Sequence, residues 1–190
     1  MPGWAWALVA VAALLVVALV IWQALRSRRT RALQDRFGPE YDRTIDRADD
    51  RREAEAELAA RAERRDALDI RPLTMAAMVR YREQWQQVQA RFVDDPGGAV
   101  QTADSLIQSV MRERGYPMDD FEQRAADISV DHPHVVDNYR EGHRLAGSAD
   151  TEAQRQAMVH YRALFDELLE DTADTPLARD AQTGDRSTVR

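Results

Sequence analysis

All four histidines of the chain fall between residues 132 and 160: His132, His134, His143 and His160. Acids stand among them at Asp127, Asp131, Asp137 and Glu141. Imidazole is a common metal ligand, and three can hold zinc while leaving a position open for water. Hydrolytic or metal chemistry would therefore be sought here, with His132, His134 and His143 as ligand candidates. The spacing opposes it. No His-x-x-x-His pair shares a helical face. The residues three before His143 and His160 are Arg140 and Ala157, so the Glu-x-x-His pattern of helical di-iron sites is missing. Helix capping is the plainer use, with Asp131 as an N-cap ahead of Pro133. No metal or other cofactor is expected.

Other chemistry finds less support. The acid pairs Asp49-Asp50, Asp94-Asp95 and Asp119-Asp120 stand where helices should begin, which fits caps better than a glycosidase-like pair across a cleft. There is no nucleophile elbow and no phosphate-binding loop, and "DPGGAV" lacks the spacing of a dinucleotide fingerprint. Cysteine is absent, which removes thiol catalysis and disulfides. All 26 basic residues are arginine, so no lysine base or Schiff base exists. Every cation is a permanently charged planar fork. Net charge is −7 with acids and arginines interleaved, so a nucleic-acid partner is not expected.

The elements that would carry these residues read as helices throughout, with no convincing strand. The expected class is all-α: a transmembrane helix, a long charged juxtamembrane helix, a small bundle over 69–170 and a disordered tail over 171–190. Gly38-Pro39 should separate the first helix from a charged stalk over 39–68, where Arg47 and Asp50 have salt-bridge spacing. Thr74 can cap a helix over 75–93 in which Met78, Tyr81, Trp85, Val88 and Phe92 recur at three and four. "DDPGG" ends it. The next helix, with Leu106 and Val110 inward, stops at Gly115 and Pro117. A short helix over 119–128 and another over 133–146 follow. Thr151 with Gln154 forms a capping box before a last helix over 152–170. Its inward residues are Met158, Tyr161 and Phe165. "AMVRYREQW" at 77–85 and "AMVHYRALF" at 157–165 place Met, Tyr and an aromatic on one helical face. They read as two core helices with one packing solution, their aromatics buried near one another.

Residues 4–25 carry no charge and are long enough, at about 1.5 Å per residue, to cross about 30 Å of hydrocarbon. Trp4, Trp6 and Trp22 stand near the two ends, at interfacial depth. No basic residue precedes the run and no small-residue cleavage pattern follows it, which argues against a cleaved signal. Arg26, Arg28, Arg29 and Arg31 come next, in a basic juxtamembrane segment over 26–38. By the positive-inside rule they place a short N-terminus (1–3) outside and the C-terminal domain in the cytoplasm. The expected location is the plasma (inner) membrane, single-pass. The same arginines can meet anionic headgroups.

Four stretches, "RFGPEYDRT", "VQARFVDDP", "VMRERGYP" and "DHPHVVDNYR", together resemble an uncharacterised family of small membrane or secreted proteins from high-GC Gram-positive bacteria. The resemblance covers about residues 33–170 and implies no activity. The expected function is a membrane-anchored interaction or scaffold module without catalysis. Residues 4–25 would contact lipid, and the domain would bind another protein or a second copy. The alternatives are a metal-binding or hydrolytic domain over 127–143, and an anionic-lipid or envelope sensor.

Overall fold

The computed structural model describes residues 3–170, with side-chain surroundings from residue 14 onward. The 171–190 tail and the side chains of Trp4 and Trp6 thus lie outside the described residues. Every regular element described is an α-helix. The chain divides into two compact units, Met1–Ala59 and Ala60–Arg190.

In the first unit, α1 (Gly3–Phe37) is followed by α2 (Pro39–Arg47) and the opening of α3 (Arg51–Asp66). Gly38 takes φ 45° at the corner, a conformation open to glycine, and Pro39 stands at the start of α2. The expected single stalk over 39–68 is instead two helices, α2 and α3. The break falls at Ala48, which is extended. Asp50 explains it. Its carboxylate accepts the Arg52 backbone N–H at 2.9 Å and its carbonyl accepts that of Ala54 at 3.1 Å. Capping by aspartate outweighs the helix propensity of the surrounding alanines. Asp50 is thus a cap rather than the expected partner of Arg47. The unit buries Leu33, Phe37, Tyr41, Ala54 and Leu58.

Among the described residues, no helix is long and apolar enough to cross a membrane. The described apolar run extends from Leu14 to Leu25, about half of the expected 4–25 span, and Arg26 ends it.

The second unit holds the core. α4 (Met75–Arg91) is capped by the Thr74 hydroxyl and α5 (Pro96–Arg114) by the Asp95 carboxylate, as their positions in the sequence imply. Gly115 ends α5 at φ 101°, and a Cβ there would meet the Asp69 carbonyl oxygen at 2.5 Å. α6 (Phe121–Asp131) runs three residues beyond the expected 128. α7 (Val136–Ala146) starts three later than the expected 133. α8 (Thr151–Glu170) begins on Asp150, whose carboxylate accepts the Ala153 N–H, while Gln154 donates to the Ser148 carbonyl. The Thr151–Gln154 capping box is therefore not what opens the helix; the aspartate one residue earlier is the stronger acceptor. α8 packs on α5 and α7, and α4 packs on α5. Met78, Tyr81, Trp85, Leu106, Val110, Met158, Tyr161 and Phe165 are buried in one cluster, with Phe92 half-buried against it.

Candidate functional site

The histidines do not converge. His132 is buried at the C-terminus of α6, with Nδ1 3.3 Å from a Glu167 carboxylate oxygen. His134 is exposed. His143, on α7, stacks on Phe121 with ring centroids 3.8 Å apart. His160, on α8, meets the Asn138 side chain at 2.9 Å. Among the described residues no three His, Asp or Glu side chains are placed to hold a metal ion. A stacking contact and two polar contacts on different helices account for three of the four rings.

Of the acids nearby, Asp137 and Glu141 pair with Arg140 and Arg144 of their own helix, and Asp127 and Asp131 are engaged by arginines of α3. Asp131 does not cap the next helix as expected. It is the last residue of α6, ion-paired with Arg65 and accepting the Tyr116 hydroxyl at 2.8 Å. Burial pushes the Tyr116 phenol well up, and the Asp131 charge adds to it. Asp127 is 1 % exposed. One of its oxygens takes Gln123 at 3.0 Å and Arg64 at 3.3 Å, and the other is buried without a hydrogen-bond partner. Burial pushes its carboxyl above the ordinary range. These pairs tie the end of α3 to α6. They present no nucleophile beside a base.

A concentration of arginines lies in the first unit, around Trp22. Two grooves open there. One, about 610 Å³, is lined by Trp22, Arg26, Thr30, Arg31, Arg51 and Glu55 among others. The second, about 340 Å³, is lined by Trp22, Arg26, Arg29, Arg52, Glu55 and Ala56. The Arg26 guanidinium lies 5.6 Å from the centre of the Trp22 ring.

Glu55 assembles this arrangement. Its carboxylate accepts the Thr30 hydroxyl from α1 at 3.1 Å, the Tyr41 hydroxyl from α2 at 2.8 Å and Arg51 Nε at 3.0 Å. Burial opposes its charge, but the Tyr41, Arg51 and Thr30 donors hold the carboxyl below the usual range. Glu55 and its donors were invisible to sequence reasoning, because Thr30 is 25 residues away. The only local signal was an acid beside the buried Ala54 and Leu58 of an alanine-rich helix.

Of the expected topology residues, Trp22, Arg26, Arg29 and Arg31 line these grooves, while Arg28 lines neither. An open groove between α4 and α5, about 560 Å³, is a weaker site. Its arginines Arg80 and Arg91 are already paired with Glu113 and Asp95.

Comparison with protein families, with curated proteins and with solved structures finds no match for this chain. The class of protein thus rests on the helical architecture and the arginine-lined grooves alone.

Proposed function

We infer that this is a membrane-anchored helical protein, held through residues 4–25, whose second unit is a docking module for another protein or for a second copy. One observation carries the reading. Leu14, Leu15, Val16 and Val17 are consecutive, so they point around the whole helix, and all are more than half exposed at 69, 66, 60 and 53 %. Leu19, Val20, Ile21, Trp22 and Leu25 continue the pattern. A helix apolar on every side needs lipid or a protein around it. The uncharged residues 4–13 before it bring the run to spanning length. Arg26 to Arg31 at its end favour an inner-membrane orientation with the N-terminus outside and the helical units in the cytoplasm. A docking role asks for shape and charge complementarity rather than a reactive constellation, and the engaged state of the His and Asp side chains favours it.

The test is carbonate extraction of membranes carrying the full chain with a C-terminal reporter, followed by cross-linking in those membranes. The chain should stay in the pellet, the reporter should be active only in the cytoplasm, and a cross-linked species larger than the monomer should form. Release by carbonate would remove the anchor, and recovery of monomer alone would remove the docking role.

A further inference from the structure

The geometry points to a binding site for the phosphate of an anionic lipid headgroup, formed by Arg26 and Arg29 of α1 and Arg52 of α3 around Trp22. This rests on the anchored reading above. It adds a site with a stated ligand and a residue, Arg52, that a basic stretch beside a membrane span would not include.

Three observations meet here. The first is convergence. α3 lies beside α1 through the Thr30–Glu55 hydrogen bond, so Arg52 reaches the groove that Arg26 and Arg29 line at Trp22, while Arg51 lines the neighbouring groove with Arg26 and Arg31. The second is availability. Elsewhere arginines are spent on acids: Arg64 on Asp119, Arg65 on Asp131, Arg144 on Glu141 and Arg155 on Glu152. Arg26, Arg29, Arg31 and Arg52 have no carboxylate within ion-pair distance among the described residues, in a chain of net charge −7. Among the described residues Glu55 is the one acid lining either groove, and it is occupied by Thr30, Tyr41 and Arg51. The third is chemistry and place. A guanidinium fork binds phosphate oxygens in pairs, and an indole favours the boundary between hydrocarbon and water. Trp22 supplies that indole, 55 % exposed and next to the exposed apolar side chains Ile21 and Leu25. A lipid would set its phosphate among the arginines and its chains along that apolar surface. A free phosphate would use only the first half of the site.

The experiment uses the full chain in nanodiscs of phosphatidylcholine mixed with phosphatidylglycerol, with retained lipid identified by native mass spectrometry. The unmodified chain should retain phosphatidylglycerol preferentially. Arg29→Gln and Arg52→Gln should each lower that preference roughly fivefold, the worth of one basic residue at an anionic surface. Arg82→Gln, an exposed arginine of the second unit, should not change it. Among the described residues Arg52 makes no side-chain hydrogen bond or ion pair, so its variant should fold normally. If Arg52→Gln behaves like Arg82→Gln, the arginines act as a simple basic stretch and the site is refuted. Inorganic phosphate that displaces the lipid as effectively as phosphatidylglycerol itself would overturn the lipid assignment. Flotation on pure phosphatidylcholine vesicles separates the two readings. A chain that floats but shows no headgroup preference loses the site and keeps the anchor. A chain that does not float loses both.

Discussion

Trp85 of α4 and Phe165 of α8 stack with ring centroids 4.6 Å apart and planes 17° from parallel. They are the last residues of the two matching stretches, "AMVRYREQW" and "AMVHYRALF". The tyrosines one turn earlier part company. Tyr81 donates to Glu113 at 2.7 Å, whereas Tyr161 lies against Tyr139 with centroids 6.5 Å apart. The repeated pattern therefore builds one shared aromatic contact and two different polar settings.

Removing either ring should be costly. Trp85→Ala and Phe165→Ala are each expected to destabilise the second unit by about 3–5 kcal/mol. The double variant should fall short of the sum by about 0.5–1.5 kcal/mol, the coupling of a stacked pair. Urea unfolding of the four proteins measures it. Strict additivity would mean that the rings do not interact. Val79→Ser and Val159→Ser, on the exposed faces, should stay within about 0.5 kcal/mol.

Three glycines should rank by what surrounds them. At Gly115 a left-handed φ of 101° and the Asp69 carbonyl oppose any Cβ, so Gly115→Ala should cost at least about 1–2 kcal/mol. At Gly142 a Cβ would stand 2.7 Å from the ring of Tyr161, which is fully buried and has no room to retreat. Gly142→Ala should cost about 1–3 kcal/mol. Gly97 meets only the end of Gln154 at 3.5 Å, so Gly97→Ala should be neutral or gain up to about 1 kcal/mol in helix propensity. Thermal melts decide the order, and a Gly142 variant as stable as the Gly97 variant would contradict the close approach of α7 and α8.

Glu55 should make the first unit acid-sensitive. Its carboxyl is held below its unfolded value, so its contribution is present above the unfolded pKa of about 4.3 and is lost as pH falls through the folded value. Glu55→Gln should remove that part of the acid transition and expose Thr30 to faster amide exchange. Hydrogen exchange at Thr30 and Tyr41, followed from neutral pH to well below the unfolded value of about 4.3, is the measurement. No change on substitution would place the link between α1 and α3 elsewhere.

Asp127 has the opposite sign. Its folded carboxyl is raised by burial, so the native state keeps the proton longer than the unfolded chain. Stability should fall as pH rises from about 3.9, the unfolded value, through the folded pKa, and then level off with the penalty in place. Asp127→Asn should flatten this slope in melts across pH. An NMR titration that puts Asp127 at or below the ordinary carboxylate value would reject the account.

Much of the fold was legible because helix signals are local. Thr74, Asp95-Pro96 and Gly115 are punctuation whose meaning depends on a few neighbouring residues, and the three-and-four spacing of Met78, Tyr81 and Trp85 names a buried face without naming its partner. The misreadings share one cause. Asp131 has the local credentials of a cap but is taken by Arg65, 66 residues away. Asp50 has the local credentials of an ion-pair partner but ends up capping α3.

By itself the chain determines its helical class, the core faces of its helices, its lack of thiol and lysine chemistry, and a run of uncharged residues followed by arginines. All of these follow from residue type and from spacings within a few turns. Tertiary structure alone decided that α3 lies beside α1, that Glu55 gathers Thr30, Tyr41 and Arg51, and that Arg52 stands with Arg26 and Arg29 at Trp22. Such contacts join residues tens of positions apart. Their existence depends on which helix faces meet, and no local periodicity records that.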